Sequence, residues 1–179
     1  MKEIIDKLYK TGDADDSELK LLISGEYDDE YLFEKADSVR KKYYGDKVYL
    51  RGLIEISNYC KNNCYYCGIR RDNKDVERYR LDKETIYDCC NAGYKLGYRT
   101  FVLQGGEDGF YSDEYICEII KHIKALYPDC AITLSVGERS YESYKKMFEA
   151  GADRYLLRHE TANEEHYRLL HPQSMSLEN

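Results

Sequence analysis

Three cysteines, Cys60, Cys64 and Cys67, are spaced by three and then two residues in the run Ile56-Ser-Asn-Tyr-Cys-Lys-Asn-Asn-Cys-Tyr-Tyr-Cys-Gly-Ile-Arg-Arg71. One short loop with that spacing can turn three thiolates toward a single point, which is a metal-binding arrangement. A closed structural zinc site asks for four ligands, commonly two Cys-x-x-Cys pairs or a Cys/His mixture. Neither a histidine nor a second pair lies near this loop, so zinc is the weaker reading. An iron–sulfur cube takes closely spaced cysteines, and a cube held by only three leaves one iron with an open position. The plain alternative is a surface loop of unrelated thiols or a disulfide. Against it stand the odd number of cysteines, seven, and a start, Met1-Lys-Glu-Ile-Ile-Asp6, without the apolar core of an export signal. Both argue for thiols kept reduced and for a cytoplasmic protein.

The elements that must position this loop follow from the periodicity. Residues 2 to 44 carry helical spacing without strands. Ile4, Ile5 and Leu8 form one stripe, Gly12 breaks it, and Asp15 or Asp16 caps a short helix with Leu19, Leu22 and Ile23. A third helix starts near Asp28 and places Leu32, Ala36, Val39 and Tyr43 on one side. From Val48 to Ser57 the period becomes that of a strand, with Leu53, Glu55 and Ser57 on one face and Ile54 and Ile56 on the other. The cysteine loop follows, and about two dozen residues separate the strand from the next helix, a length that is usually functional.

That helix is expected from an Asp82 cap to Gly97, with Ile86, Cys89, Cys90, Gly93 and Leu96 inward; Cys89 and Cys90 read as small apolar residues rather than ligands. A strand over Thr100–Gln104 runs into Gly105-Gly-Glu-Asp-Gly109. A helix over Asp113–Tyr127 carries Ile116, Ile119, Ile120 and Ile123, with Cys117 at its margin. A third strand, Ala131–Ser135, precedes a helix with Tyr141, Tyr144 and Phe148 that Gly151 closes. A fourth strand, Arg154–His159, leads to a last helical segment reaching about Leu170.

Strand and helix thus alternate four times, the pattern of a parallel α/β sheet. Ser57, Gln104, Ser135, Arg158 and Glu160 gather at carboxyl ends of strands, which favours a TIM-type (β/α)8 barrel over an open sheet. Four units make a half-barrel, so the chain reads as a truncated N-terminal fragment: a helical cap over residues 1–45 and half of a barrel over 46–179. Such a piece, exposing the edge of its last strand, is expected to self-associate.

The 34% charged and 42% hydrophobic residues are ordinary for a globular protein, and no apolar run approaches a membrane span. A net charge of −7 gives no footprint for nucleic acid. Arg70, Arg71, Arg78 and Arg80 are a local exception. They either pair with Asp72, Asp75 and Glu77 in a solvated loop, or close over the metal loop or an anionic ligand.

The pattern Cys60-x-x-x-Cys64-x-Tyr66-Cys67 resembles the hallmark of the radical S-adenosylmethionine (SAM) superfamily. The continuation Cys67-Gly-Ile-Arg-Arg-Asp-Asn73 with Arg78-Tyr-Arg80 is most similar to its HydE-type branch, maturases of the [FeFe]-hydrogenase cofactor, with biotin synthase and methylornithine synthase as near relatives. The resemblance implies a [4Fe–4S] cluster on Cys60, Cys64 and Cys67 whose fourth iron is chelated by SAM. One electron then cleaves the sulfonium to methionine and a 5′-deoxyadenosyl radical. It implies that Gly105, Gly106 and Glu107 meet the SAM ammonium, that Tyr66 lies against the adenine, and that Glu160 contacts SAM with Arg158 beside the substrate cavity.

Strand alternation would point Arg158 and Glu160 inward, where they could instead pair with each other, and Leu157 and His159 outward. Thr133 and Ser135 are candidate substrate-cavity walls, and no histidine shows ligand spacing with the thiols. The partners so implied are a small molecule or small iron complex as substrate, a flavodoxin or ferredoxin as reductant, and other hydrogenase maturases, with neither nucleic acid nor membrane. A methylornithine-synthase-like or biotin-synthase-like enzyme, or a non-catalytic iron–sulfur scaffold, are the competing readings.

Overall fold

The computed structural model describes residues 2–25 and 29–177. By contact density the chain divides into two compact units, Met1–Tyr49 and Leu50–Asn179.

The first unit holds three helices, α1 (Lys2–Thr11), α2 (Asp16–Ile23) and α3 (Asp29–Tyr44). Asp15 is the cap of α2, and it forms a capping box: its side chain accepts from the backbone at Glu18 while Glu18 reaches back to the Asp15 amide. Asp28, expected at the start of the third helix, lies outside the described residues. Asp6 joins α1 to α3 by accepting from the Tyr31 hydroxyl at 2.7 Å and pairing with Lys35 at 2.9 Å. The apolar stripe expected on α3 does not sink into a core. No residue of α3 is buried, and Tyr43 remains 70% exposed.

The second unit is a four-stranded parallel sheet in the order β1-β2-β3-β4, with β1 Gly52–Ser57, β2 Thr100–Gly105, β3 Ala131–Ser135 and β4 Arg154–Tyr155. Helices α4 (Lys83–Lys95), α5 (Asp113–Leu126) and α6 (Tyr141–Glu149) make the crossovers that parallel strands require, and α7 (Glu164–Leu170) follows β4. Asp82, Ser112, Ser140 and Asn163 cap these four helices in turn. Ile54, Ile56, Leu103, Ile132 and Leu134 form the helix-facing side of the sheet, packed on Ile86, Cys90 and the α5 row Ile116, Ile119, Ile120, Ile123. This is the α/β half-barrel expected from the alternation.

Several expectations are corrected. The first strand begins at Gly52 rather than Val48, because the ladder with β2 starts at the Gly52–Phe101 pair and Val48, Tyr49 and Leu50 are exposed. On α4, Ile86, Cys90 and Gly93 are inward, but Cys89 and Leu96 face solvent. On α6, Ser143 and Met147 are the buried positions. Tyr141 and Phe148 are exposed, and Tyr144 packs edge-on to Tyr155 at 4.8 Å.

The fourth strand ends at Tyr155, not His159. Its ladder to β3 has only the pairs Thr133–Arg154 and Leu134–Tyr155, and no strand flanks its other side among the described residues. Alternation therefore does not govern residues 157–160, and Leu157, Arg158, His159 and Glu160 are all exposed.

These packing positions separate in a mutational test. Ile120→Ala, at a site with 0% exposure, is expected to cost about 3 to 4 kcal/mol in urea unfolding. Leu96→Ala, on the same helical layer but in solvent, is expected to stay within about 0.5 kcal/mol; comparable losses would contradict this placement of the core.

Candidate functional site

The loop between β1 and α4 has little regular structure, yet it is closely tied by side chains to backbone. Arg78 does most of this. Its guanidinium donates to the carbonyls of Asn58, Ile69 (2.9 Å), Arg70 (2.7 Å) and Asn73 (3.0 Å), so one rigid fork of donors gathers both ends of the cysteine loop. Asn58 bridges the same ends, donating to the Glu77 carbonyl and accepting from the Tyr79 amide. Of the four arginines, Arg78 and Arg70 close over the loop, Arg70 through the Cys67 carbonyl at 3.1 Å. Arg71 pairs with Asp72 in solvent.

Arg80 does something else. It forms a two-pronged pair with Asp108, 2.7 Å and 2.9 Å, and stacks 3.9 Å over the Tyr59 ring. Asp108, 5% exposed, also accepts from the Ser57 hydroxyl at 2.7 Å and the Phe110 amide at 3.0 Å. Burial raises its carboxyl, but the hydrogen bonds from Arg80, Ser57 and Phe110 outweigh burial and hold it below the usual carboxylate range. Ser57 stands at the carboxyl end of β1 as expected, lines the cleft, and also anchors the β2 turn through Asp108.

That turn meets the cysteine loop directly. At Gly106 an added Cβ would lie 2.2 Å from the Tyr59 carbonyl oxygen and 2.7 Å from the Cys60 Cβ, so glycine is what lets the two backbones touch. Glu107 is held by the same loop: Lys61 pairs with Oε2 at 2.9 Å, Asn62 donates to Oε1 at 2.9 Å, and the Lys61 amide donates to the Glu107 carbonyl at 3.0 Å. Its stem occupies the space that a Cβ on Gly137 would need, and Gly137 has φ +84°, so that glycine is required twice over.

The three cysteines are free thiols and share one cleft of about 750 Å³. Burial raises the Cys64 thiol, and Cys60 and Cys67 raise it further by like-charge repulsion, while the Tyr66 hydroxyl beside it works the other way. Cleft residues also include Tyr66, Gly105, Gly106, Glu107, Ser135, Arg158 and Glu160, so the expected site residues come together with one exception. Thr133 is not on the wall. It is buried one row below, its hydroxyl without a hydrogen-bond partner. No ion pair joins Arg158 to Glu160 among the described residues. Leu157 and His159, expected to pack outward, line the cleft too.

No trio of His, Cys, Asp or Glu among the described residues is gathered tightly enough for a single metal ion. A cube makes a different demand, giving each thiolate an iron of its own, and three unpaired thiols on one cleft wall suit it.

Sequence reasoning passed over Asn62, Asp108, Gly137 and His171. Asp108 adjoins the glycine-rich turn, a signal that was available; the others have none in spacing. His171 is buried, stacks on Tyr167 at 3.9 Å and meets Tyr66 edge-on at 5.6 Å.

Two outcomes test this scaffold. Because Asp108 is held below its ordinary value, its contribution is complete at pH 7, above an unfolded-chain value of about 3.9. It is lost as pH falls through the lower folded value. Asp108→Asn, which turns amide hydrogens toward Arg80, is expected to cost about 3 kcal/mol at pH 7 and to flatten that acid limb in pH-resolved unfolding. Gly106→Ala is expected to destabilise by about 2 kcal/mol or more and to accelerate alkylation of Cys60; unchanged thiol reactivity would contradict the contact.

Residues 54–178 match the family described as the radical SAM superfamily. The chain is 51% identical over 150 residues to the [FeFe] hydrogenase maturase subunit HydE of Thermotoga maritima, covering 84% of this chain and 42% of that protein. A crystal structure of methylornithine synthase (PylB) superposes with TM-score 0.80 at 31% identity, covering 95% of this chain and 51% of that one. One of HydG, a maturase of the [FeFe]-hydrogenase, superposes with TM-score 0.83 at 28% identity over 96% and 39%. The chain spans about half the length of the curated relatives it matches. No described helix is long and apolar enough to cross a membrane. With its cysteine triad, glycine-rich turn and half-barrel lying inside the matched span, this chain belongs to the radical SAM superfamily.

Proposed function

We propose that this chain is the cluster- and cofactor-binding portion of a HydE-type radical SAM enzyme, acting in assembly of the [FeFe]-hydrogenase cofactor. The observation that carries the reading is the shared cleft, in which Cys60, Cys64 and Cys67 stand with Gly105, Gly106, Glu107 and Glu160. The identity to a HydE protein, running through most of the chain, supports the branch.

The three thiolates would hold a [4Fe–4S] cube, which when reduced supplies the electron that cleaves the SAM sulfonium. The chain's own residues bind and orient. The glycines keep the β2 turn against the cysteine loop, Glu107 offers its carboxylate to the SAM ammonium, and Glu160 provides a further contact to SAM. Lys61, already on Glu107, would have to share or yield that carboxylate. Tyr66, 48% exposed, presents its ring for the adenine. Arg158 and Ser135 face the remaining space, where a small molecule or small iron complex would sit. A flavodoxin or ferredoxin as reductant, other maturases as partners and a cytoplasmic location belong to the same reading.

The likeness to methylornithine synthase favours a second reading, a mutase of that kind. Product analysis separates the two, since methylornithine formed from lysine would overturn the hydrogenase assignment. The radical SAM site itself is tested by anaerobic iron–sulfide reconstitution and electron paramagnetic resonance. A reduced [4Fe–4S] signal that shifts on adding SAM and is lost in Cys64→Ala is expected. Zinc taken up in place of iron, or a cluster indifferent to SAM, would refute the proposal.

A further inference from the structure

The C-terminal end of α7, the helix that follows edge strand β4, meets the cysteine loop that follows β1 at the other edge of the sheet. The Tyr65 amide donates to the Leu170 carbonyl at 2.8 Å, a link between residues that share no secondary structure. The next residue, His171, is 6% exposed, and its ring is held on three sides. It stacks on Tyr167 at 3.9 Å with the planes 19° apart, and Nδ1 lies 3.0 Å from the Tyr167 carbonyl oxygen. A carbonyl only accepts, so Nδ1 carries the proton and the ring cannot rotate without losing that bond. The third side is Tyr66, met edge-on at 5.6 Å with the planes 86° apart, the geometry in which aromatic quadrupoles attract. Tyr66 sits between Cys64 and Cys67, so whatever fixes its ring also fixes the turn carrying two of the three thiols.

We infer that His171 is a positioning residue: the α7 terminus latches the Cys64–Cys67 turn through the Leu170 carbonyl and sets the Tyr66 ring through the His171 imidazole. The physical need is plain. Tyr65 and Tyr66 are both about half exposed, and an exposed aromatic on a loop has several rotamers of similar energy. An adenine-facing surface that wanders among them costs binding free energy in ordering. A buried ring with a fixed tautomer removes that freedom before any ligand arrives. The role toward the adenine rests on the function proposed above; the latch on the cysteine turn does not.

The test uses three variants of the full chain. His171→Ala removes the stack and the donor, His171→Asn keeps a donor for the Tyr167 carbonyl, and His171→Phe keeps the ring. In the metal-free chain, amide hydrogen exchange at Tyr65 is expected to rise by about tenfold in His171→Ala, while Leu103 and Ile132 in the sheet stay protected. His171→Phe should restore most of that protection and His171→Asn little. In the reconstituted protein, SAM titrated against the cluster's resonance signal is expected to bind about tenfold more weakly in His171→Ala, with rescue by His171→Phe. An unchanged Tyr65 amide in His171→Ala would overturn the latch, and so would loss of protection spread equally through the sheet. If the unmodified protein shows no SAM-dependent signal, the proposed function fails while the exchange experiment still decides on the latch.

Discussion

Asp108 is the point at which the architecture closes. A carboxylate at 5% exposure costs several kcal/mol in lost hydration unless its lone pairs are filled. Here they are filled by groups from three separate segments: Ser57 at the tip of β1, Arg80 at the end of the cysteine loop, and the Phe110 amide beyond β2. Desolvation makes each of those partners necessary. The loop cannot leave without stranding a charge, and the β2 turn cannot drift from the β1 tip. Tyr111 reinforces the junction, its hydroxyl lying 2.7 Å from both the Ile56 and Leu81 carbonyls.

From that fixed point the cysteine loop is held without regular secondary structure. A segment of this length would ordinarily be mobile, because its backbone groups have water as their easiest partner. Arg78 and three asparagines supply partners instead, Asn63 accepting from the Asp72 amide, Asn73 donating to the Gly68 carbonyl and Asn58 to the Glu77 carbonyl, while Asn62 ties the loop to the Glu107 carboxylate. Rigidity matters because three thiolates repel one another. A loop free to relax would separate them, whereas a loop tied at its carbonyls keeps them together until metal displaces their protons.

The sequence made the metal loop legible because its chemistry is local, three thiols and an aromatic within a few residues. The α5 isoleucines and the Asp82 cap were legible for the same reason, since helical periodicity and capping are short-range. The tertiary ties were not. Asp108 meets Ser57 across 51 positions and Arg80 across 28, and neither separation leaves a periodic trace. The fourth strand failed differently. Residues 154–159 fit a fourth strand in the strand–helix order, but strand length is decided by available neighbours, and β4 pairs only with Thr133 and Leu134 of β3. Leu96 falls on the expected inner stripe yet stays in solvent, because an apolar side chain at a helix terminus can satisfy the stripe and still clear the sheet.

What faces the cleft is decided by register. Glu55, Gln104 and Ser135 are ladder partners across three strands, and one row below them come Leu53, Val102 and Thr133. A polar row therefore floors the cleft, with the Gln104 amide donating to Glu55 at 3.1 Å, over a mainly apolar row deeper in the sheet. A slip of one residue would exchange these for Ile54, Leu103 and Leu134, which belong to the helix-facing core. The cost of exposing that trio fixes the register, and so fixes the chemistry of the cleft. The irregularity between Glu55 and Ser57 then does local work: by skipping a residue against β2 it pairs Ser57 with Gly105. A β-bulge re-aims the side chain that follows it, and here that side chain is the hydroxyl that reaches Asp108. The packing of isoleucines on the far face of the sheet and the placement of thiols above its tips are consequences of one alignment.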